Sequence, residues 1–180
     1  MFLAFTIDPD TQRRMIEAYQ IPDTEGLFRQ STAENLHITI GYMGAIPEDD
    51  FEEIFANFPN ADNIKIPQLT VSGAVFLGKK NNIFCLSVTP DAPLQDIHLL
   101  TREDLESSSH YGFDRTYPVY IPHIKIQSLK NKANDQQCEE LKQAFMEKCD
   151  HSITFTPPSI ALMQREDGVY KVLKTIRTLQ

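Results

Sequence analysis

The chain has 180 residues, of which 41% are hydrophobic, enough for one domain or two closely packed lobes around a sizeable core. No apolar run is long enough to cross a bilayer, and we expect no signal peptide, because a strand-like run begins almost at once. The net charge of -8 disfavours binding of long nucleic acid through its phosphates. Three cysteines without CxxC spacing favour a reducing, cytoplasmic location over a disulfide framework.

Hydrophobic patterning predicts strands and helices that alternate along the whole chain, without a linker that would divide residues 1–180. The predicted strands are Leu3–Ile7, Leu36–Tyr42, Ile64–Leu77, Ile83–Val88, Val119–Ile126, Ile153–Met163 and Val169–Thr178. The predicted helices are Pro9–Tyr19, Glu48–Phe58, Ala92–Ser107 and Asp135–Cys149. Two pairs are typical of hairpin turns, namely Asn81-Asn82 and Asp167-Gly168.

The order of elements repeats, with a first unit of roughly 1–80 and a second of roughly 81–180. Each unit contains one predicted strand in which a histidine, His37 or His123, heads an alternating polar/apolar run. The segments 75–77 and 161–163, both apolar, are separated by the same offset as the two histidines. We therefore predict a single α+β domain of two pseudo-symmetric lobes, in which the two histidine strands face each other across a cleft.

The two histidine strands are the segments 37–40 and 123–126, which read His-Ile-Thr-Ile and His-Ile-Lys-Ile. Residues i and i+2 of a strand share a face, so His37 and Thr39 point one way and the isoleucines point into a core. His123 and Lys125 are paired in the same manner. Imidazole has an ordinary pKa of about 6.5 and suits both general acid and general base roles. Two such groups across a cleft are what attack on a phosphodiester needs.

These motifs resemble those of the two-histidine (2H) phosphoesterase superfamily, in particular its bacterial branch of RNA 2',3'-cyclic phosphodiesterases and 2'-5' RNA ligases. That family carries two His-x-Thr/Ser-x (HxTx) motifs, and the run Asn35-Leu36-His37-Ile38-Thr39 is typical of the first. The second motif keeps the family's Pro-His pair at residues 122–123 and departs from the pattern at Lys125. The resemblance covers nearly the whole chain and implies a duplicated two-lobed fold, with largely antiparallel sheets around a central cleft and helices outside.

The resemblance also implies a mechanism that needs neither a metal nor a cofactor. One histidine takes a proton from the attacking water or sugar hydroxyl, and the other gives a proton to the leaving oxygen. Thr39 would donate its hydroxyl hydrogen to a phosphate oxygen. Which of His37 and His123 is the base stays open. Phosphate-binding loops of the GxxxxGK[ST] and GxGxxG types are absent from the sequence, which argues against an ATP-dependent ligase.

Lys125 has two interpretations. In the first, its ammonium binds the phosphate as a point charge and lowers the pKa of His123. The position of Lys125 on the cleft face of the strand favours this interpretation. Alternatively it turns to solvent and leaves the second half of the site weakened.

Residues outside the motifs are further candidates for substrate binding. Tyr111 and Tyr117 precede the second motif and are placed to contact a nucleobase, while Arg115 and Arg165 offer charge near a phosphate. Tyr42 has the wrong parity for the His37 face unless Gly41 introduces a bulge. The three other histidines have no zinc-site spacing and are interpreted as surface or capping residues: His98, His110 and His151.

We therefore expect a metal-independent phosphodiesterase that hydrolyses a cyclic 2',3'-type or 2'-linked phosphodiester of a nucleotide or RNA end. Its partner would be a nucleotide or short RNA, not a long duplex or a membrane, and it would act as a monomer. Alternatives are the same chemistry on 2'-5' oligoadenylate, a cyclic oligonucleotide signal or ADP-ribose cyclic phosphate. A non-catalytic module that binds RNA ends or nucleotides is a further alternative, and so is a metal hydrolase, which the absence of nearby carboxylates disfavours.

Overall fold

The computed structural model describes residues 1–52, 68–108, 112–114 and 119–178. Within these ranges the strands are β1 (Phe2–Thr6), β2 (Phe28–Gln30), β3 (His37–Tyr42), β4 (Leu69–Leu77), β5 (Ile83–Thr89), β6 (His123–Leu129), β7 (Ile153–Phe155), β8 (Ser159–Glu166) and β9 (Val169–Thr178). The helices are α1 (Pro9–Tyr19), α2 (Ala92–Ser108) and α3 (Asp135–Lys148). None of these three helices is long and apolar enough to span a membrane.

The strands form two antiparallel sheets. Sheet A has the order β3-β1-β8-β9 and sheet B the order β2-β6-β5-β4-β7. The strand order β3-β1-β8 in sheet A corresponds to β6-β5-β4 in sheet B, with the histidine strands β3 and β6 in equivalent positions. The third strand of each set comes from the other half of the chain: β8 from the second half in sheet A, and β4 from the first half in sheet B. The predicted α+β fold with antiparallel sheets is confirmed. The division into sequence repeats of roughly 1–80 and 81–180 stays a prediction, since both sheets draw on both halves.

The isoleucines of the two motifs lie in the core, as their alternation predicted. Ile38, Ile40, Ile124 and Ile126 are all 0% exposed. They belong to one cluster of buried residues that joins both sheets. Because these side chains fill the core, the histidines and their i+2 partners are turned to the opposite face of each strand.

Both motif strands contain a β-bulge at the same place, three residues after the histidine. In the β1–β3 pair, Leu3 faces Gly41 and Ala4 faces Thr39, which leaves Ile40 as the extra residue. An extra residue reverses the parity of the later positions in the strand. The bulge therefore turns the side chain of Tyr42, which is 53% exposed, to the His37 side of the sheet.

The bulge in β6 is the counterpart. Phe84 faces Gln127 and Cys85 faces Lys125, which leaves Ile126 as the extra residue. For Tyr42 to face the His37 side, the sequence pattern requires a bulge at Gly41, and the structure has this bulge one residue earlier, at Ile40. The second motif has the same bulge at Ile126.

Prolines explain two differences from the predicted strands. The strand predicted over Val119–Ile126 begins only at His123, since Pro122 cannot donate a ladder hydrogen bond. The strand predicted over Ile153–Met163 is two strands, because Pro157-Pro158 interrupts it and the chain crosses from sheet B to sheet A.

Other boundaries differ less. The sequence pattern missed β2, whose three residues are too few to show alternation. The helix predicted over Glu48–Phe58 starts as a 3-10 turn at Glu48–Asp50, and residues 53–58 lie outside the described residues. Both predicted hairpin turns are confirmed: Asn81 and Asp167 have positive φ angles of 50° and 49°.

Helix α2 is fixed to β3 by a histidine that sequence reasoning assigned to the surface. The Nδ1–H of His98 donates to the carbonyl of Ile40 at 2.6 Å. Its ring stacks on Tyr120 with centroids 4.3 Å apart and on Phe113 at 5.3 Å. His98 is therefore half-buried and joins helix α2 to the first motif strand, which corrects the surface interpretation.

Gly41 makes room for the Phe113 ring. A Cβ on Gly41 would lie 2.3 Å from Phe113 Cζ, and a buried ring has little space to move. We expect Gly41→Ala to lower the free energy of unfolding by about 1 to 3 kcal/mol through overpacking. Denaturant unfolding measures this loss. Gly112→Ala is the matched control, because among the described residues the nearest atoms to its Cβ belong to the exposed Glu106 side chain, at 3.2 Å. Equal losses in both variants would contradict this packing.

Candidate active site

His37 is the first residue of β3 and its orientation is fixed by its own backbone. The Nδ1–H donates to the carbonyl of Asn35 at 2.8 Å. In the neutral ring this leaves Nε2 without a hydrogen, so it acts as an acceptor. The ring packs between Phe2, with centroids 4.8 Å apart, and Tyr170, at 4.7 Å. His37 thus presents one basic nitrogen from an otherwise packed position.

Asn35 ties the β8–β9 hairpin to this histidine. Its Nδ2 donates to the Gly168 carbonyl at 3.2 Å, and its Oδ1 accepts from the Tyr170 backbone N–H at 2.8 Å. One residue therefore accepts the His37 hydrogen bond with its carbonyl and places Tyr170 with its side chain. The Asn-Leu-His run of the motif has a structural reason in these contacts.

His123 is held in the same way as His37. Its Nδ1–H donates to the carbonyl of Ile121 at 2.7 Å, again two residues before the histidine. The residue between them, Pro122, is buried and restricts the backbone there. Both imidazoles therefore have their Nε2 atoms available as proton acceptors.

Tyr120 connects the two motifs. Its hydroxyl donates to the carbonyl of Thr39 at 2.9 Å, and its own carbonyl accepts from Gln95 Nε2 at 2.7 Å. Burial raises the pKa of the Tyr120 phenol, so it stays a hydrogen-bond donor at all physiological pH values. The backbone next to His123 is thus fixed to the backbone of the first motif.

Both histidines have lowered pKa values. Burial is the main cause that lowers the pKa of His37 to about 4, and the charges of His123 and Lys125 lower it further. Burial also lowers the pKa of His123, while its bond to Ile121 opposes the shift. The effect of His123 and Lys125 on His37 is in keeping with the hydrogen bond from Tyr120 to the Thr39 carbonyl, which joins the two motifs.

Lys125 stands at the solvent-accessible face of β6. Desolvation is the main cause that lowers its pKa, and the charges of Arg165 and Arg29 act in the same direction, while Cys85 opposes them. Cys85 lies opposite Lys125 on β5, and burial raises the pKa of its thiol to about 12. Lys125 is therefore in electrostatic range of the site, and its role as a phosphate ligand stays a proposal.

A cavity of about 500 Å³ opens beside His37. Its lining residues are Met1, Phe2, His37, Thr39, Tyr42, Gly44, Ala45, Gln164, Arg165 and Tyr170. Three predicted site residues, His37, Thr39 and Arg165, are thus brought together, whereas His123 and Lys125 do not line this cavity. Arg165 also lies over the Tyr170 ring, 5.9 Å from its centroid.

The cavity and the remaining predicted residues differ. Tyr111, Arg115 and Tyr117 lie outside the described residues. Sequence reasoning missed Phe2, Gln164 and Tyr170, which reach the cavity from β1, β8 and β9. Only the turn at Asp167-Gly168 hinted at Tyr170, because a hairpin brings the start of β9 back beside the end of β8. In the described part of the chain, no three His, Cys, Asp or Glu side chains converge as a metal site would require.

Solved structures share this fold, although no family model and no curated protein sequence matches the chain. E. coli LigT complexed with 3'-AMP matches with a TM-score of 0.63 at 17% identity, over 99% of this chain and 96% of LigT. TT0787 of Thermus thermophilus matches with a TM-score of 0.62 at 15% identity, over 97% and 94% of the two chains. The MHV ns2 PDE domain has a TM-score of 0.51 at 15% identity, over 86% and 89%. The chain therefore has the LigT-like two-histidine phosphoesterase fold that the resemblance predicted.

The low pKa of His37 gives a direct test of this geometry. We expect NMR titration to show the His37 ring protonating at about pH 4 rather than 6.5. Tyr170→Ala removes one wall of the ring's environment, so the pKa should rise towards 6.5. Val172→Ala on the same strand, whose side chain is 49% exposed, is the matched control and should leave the titration unchanged.

The same shift links stability to pH. Between pH 4 and 6.5 the unfolded chain protonates this histidine and the folded chain does not. The unfolded state therefore binds up to one proton more than the folded state, and the free energy of unfolding should rise with pH across this window. A His37 ring that titrates near 6.5 in the folded protein would contradict the packed environment.

Proposed function

We propose that the protein is a metal-independent phosphodiesterase that hydrolyses a cyclic 2',3'-type or 2'-linked phosphodiester of a nucleotide or RNA end. The observation that carries the proposal is the matched anchoring of His37 and His123, whose Nδ1 atoms bond the carbonyls of Asn35 and Ile121. Two imidazoles fixed in the same way, with free Nε2 atoms in one electrostatic environment, are suited to moving a proton at each end of a displacement.

We assign the base role to His37 and the acid role to His123. Burial, and then the charges of His123 and Lys125, lower the pKa of His37, which suits this ring to the base role and leaves the acid role to His123. His37 Nε2 then takes a proton from water as the water oxygen bonds to phosphorus. His123 Nε2 gives its proton to the ribose oxygen as the bond from that oxygen to phosphorus breaks. An anionic phosphate between the rings favours the protonated imidazole.

Phosphate binding falls to Thr39 and Lys125, which follow the histidines by two residues. The Thr39 hydroxyl offers one hydrogen bond, and Lys125 offers a positive charge in the position where the family has threonine or serine. The cavity beside His37 is large enough for a nucleoside, and it offers Tyr42 and Tyr170 as aromatic surfaces. LigT, which shares the fold, is known in complex with 3'-AMP, a ligand of this chemical class.

Other substrates remain candidates for the same chemistry. They are 2'-5' oligoadenylate, a cyclic oligonucleotide signal and ADP-ribose cyclic phosphate. A different class of function, a module that binds RNA ends or nucleotides without turnover, predicts binding that does not depend on either imidazole. We further propose that the partner is a nucleotide or short RNA and that the protein acts as a monomer in the cytoplasm.

The proposal predicts turnover of nucleoside 2',3'-cyclic phosphates in the presence of excess chelator. His37→Ala and His123→Ala should each lower kcat/KM by about 10²- to 10⁴-fold, because each removes one acid or base group. His151→Ala is the matched control, since this side chain is exposed beyond helix α3 and should leave turnover unchanged. Product analysis by chromatography shows whether the 2'- or the 3'-phosphate forms.

Three outcomes would count against this mechanism. Wild-type turnover by either histidine variant would remove the acid/base pair, and loss of activity with chelator would support a metal hydrolase. If none of these phosphodiesters is hydrolysed while nucleotides bind equally to wild type and both variants, the non-catalytic module is favoured.

Lys125 separates the two interpretations of the second motif. If its ammonium binds the reacting phosphate, Lys125→Thr should lower kcat/KM about tenfold, because a neutral hydroxyl replaces a charge. Steady-state kinetics of the same cyclic phosphates measure the change. Lys171→Thr, on β9, is the control for removal of an exposed lysine. A rise in activity on Lys125→Thr would show that Lys125 turns away from the phosphate.

A further inference from the structure

Two stretches of this acidic protein contain basic residues and no acidic ones. The chain has 25 acidic and 17 basic residues, yet residues 26–33 and 119–134 contain no Asp or Glu. The same two stretches contain four basic residues: Arg29, Lys125, Lys130 and Lys132. Such local depletion of acid, in a chain whose net charge is -8, points to a surface that meets an anion.

The fold places these stretches side by side. Strands β2 and β6 pair antiparallel, with Arg29 opposite Ser128 at the edge of sheet B. The two lysines that come after β6 are already bound to the backbone, Lys130 to the Gly26 carbonyl at 2.9 Å and Lys132 to the Glu25 carbonyl at 3.3 Å. Arg29 and Lys125 are both exposed, and no ion pair within the described residues involves either of them.

Arg29 and Lys125 lie on the same face of sheet B. Phe28 and Leu129, which are paired, are 3% and 5% exposed and face the core, so their neighbours Arg29 and Ser128 face outward. Ser128 lies three positions beyond Lys125, which at about 3.3 Å per residue is about 10 Å along the strand. Consecutive phosphates of one short chain span such a separation when two long side chains reach towards them. Repulsion between Arg29 and Lys125 helps to lower the pKa of Lys125, in keeping with this proximity.

We propose that Arg29 forms a subsite for a second phosphate of the substrate, about one nucleotide from the reacting phosphate that Lys125 binds beside His37 and His123. This inference rests on the proposed function and narrows it. A mononucleotide fills only the reacting position, whereas an oligonucleotide also reaches Arg29. The preferred substrate is therefore an oligonucleotide of at least two phosphates, bound across the β2–β6 edge.

Binding of ligands that cannot react tests the subsite independently of turnover. The probes are adenosine 3'-monophosphate and an adenosine trinucleotide with a 3'-terminal phosphate, measured by calorimetry at several salt concentrations. Arg29→Gln should weaken trinucleotide binding about three- to tenfold and reduce the slope of log Kd against log salt by about one. Mononucleotide binding should change less than twofold. Arg14→Gln on helix α1, which removes an exposed arginine, should alter neither.

The outcomes separate the two proposals. If Arg29→Gln weakens binding of both ligands equally, or of neither, the second subsite is overturned. This result does not depend on which substrate the protein hydrolyses. A selective effect on the trinucleotide establishes the subsite. If the wild-type protein then hydrolyses no phosphodiester, the proposed function fails by itself, because this binding comparison does not depend on catalysis.

Discussion

The hydrogen bond from each imidazole Nδ1 to a carbonyl two residues earlier is the constraint on which the site depends. It fixes the ring orientation of His37 and His123 with the backbone alone and leaves both Nε2 atoms free. No carboxylate partner is used at these two bonds, so neither ring gains the pKa increase that such a partner gives. Burial then lowers both pKa values and favours the neutral rings, while an anionic phosphate favours the proton that His123 needs as the acid.

Symmetry and asymmetry have different physical origins in this fold. The shared features, which are the Nδ1 anchors and the bulges at Ile40 and Ile126, follow from two similar local sequences in equivalent strands. The cavity beside His37 arises instead from the β8–β9 hairpin, which Asn35 holds in place. The cationic β2–β6 edge belongs to the other sheet. One half of the site thus offers a cavity with aromatic rings and Arg165, and the other offers Arg29 and Lys125 on an open sheet face, which suits a substrate with different groups on its two sides.

The sequence pattern correctly predicted those features that depend on residues close together in the chain. Alternation identified the two motif strands and the inward direction of their isoleucines, and the turn residues identified both hairpins. Contacts between distant strands could not be predicted in this way. Tyr170 meets His37 through the β8–β9 hairpin, which Asn35 binds, and sheet register is set by tertiary packing. His98 was misassigned for the same reason, since its bond partner, the carbonyl of Ile40, lies in another element. The pairing of Arg29 with the second motif strand likewise needed the sheet order.

The most direct measurement of the central claim is kcat/KM for His37→Ala, His123→Ala and the variant that carries both changes. If the two imidazoles act as one proton-transfer unit, the double variant should lose about as much activity as either single variant, far less than the product of the two losses. Losses that multiply would show that the two histidines contribute independently, and would contradict a single site built from both motifs.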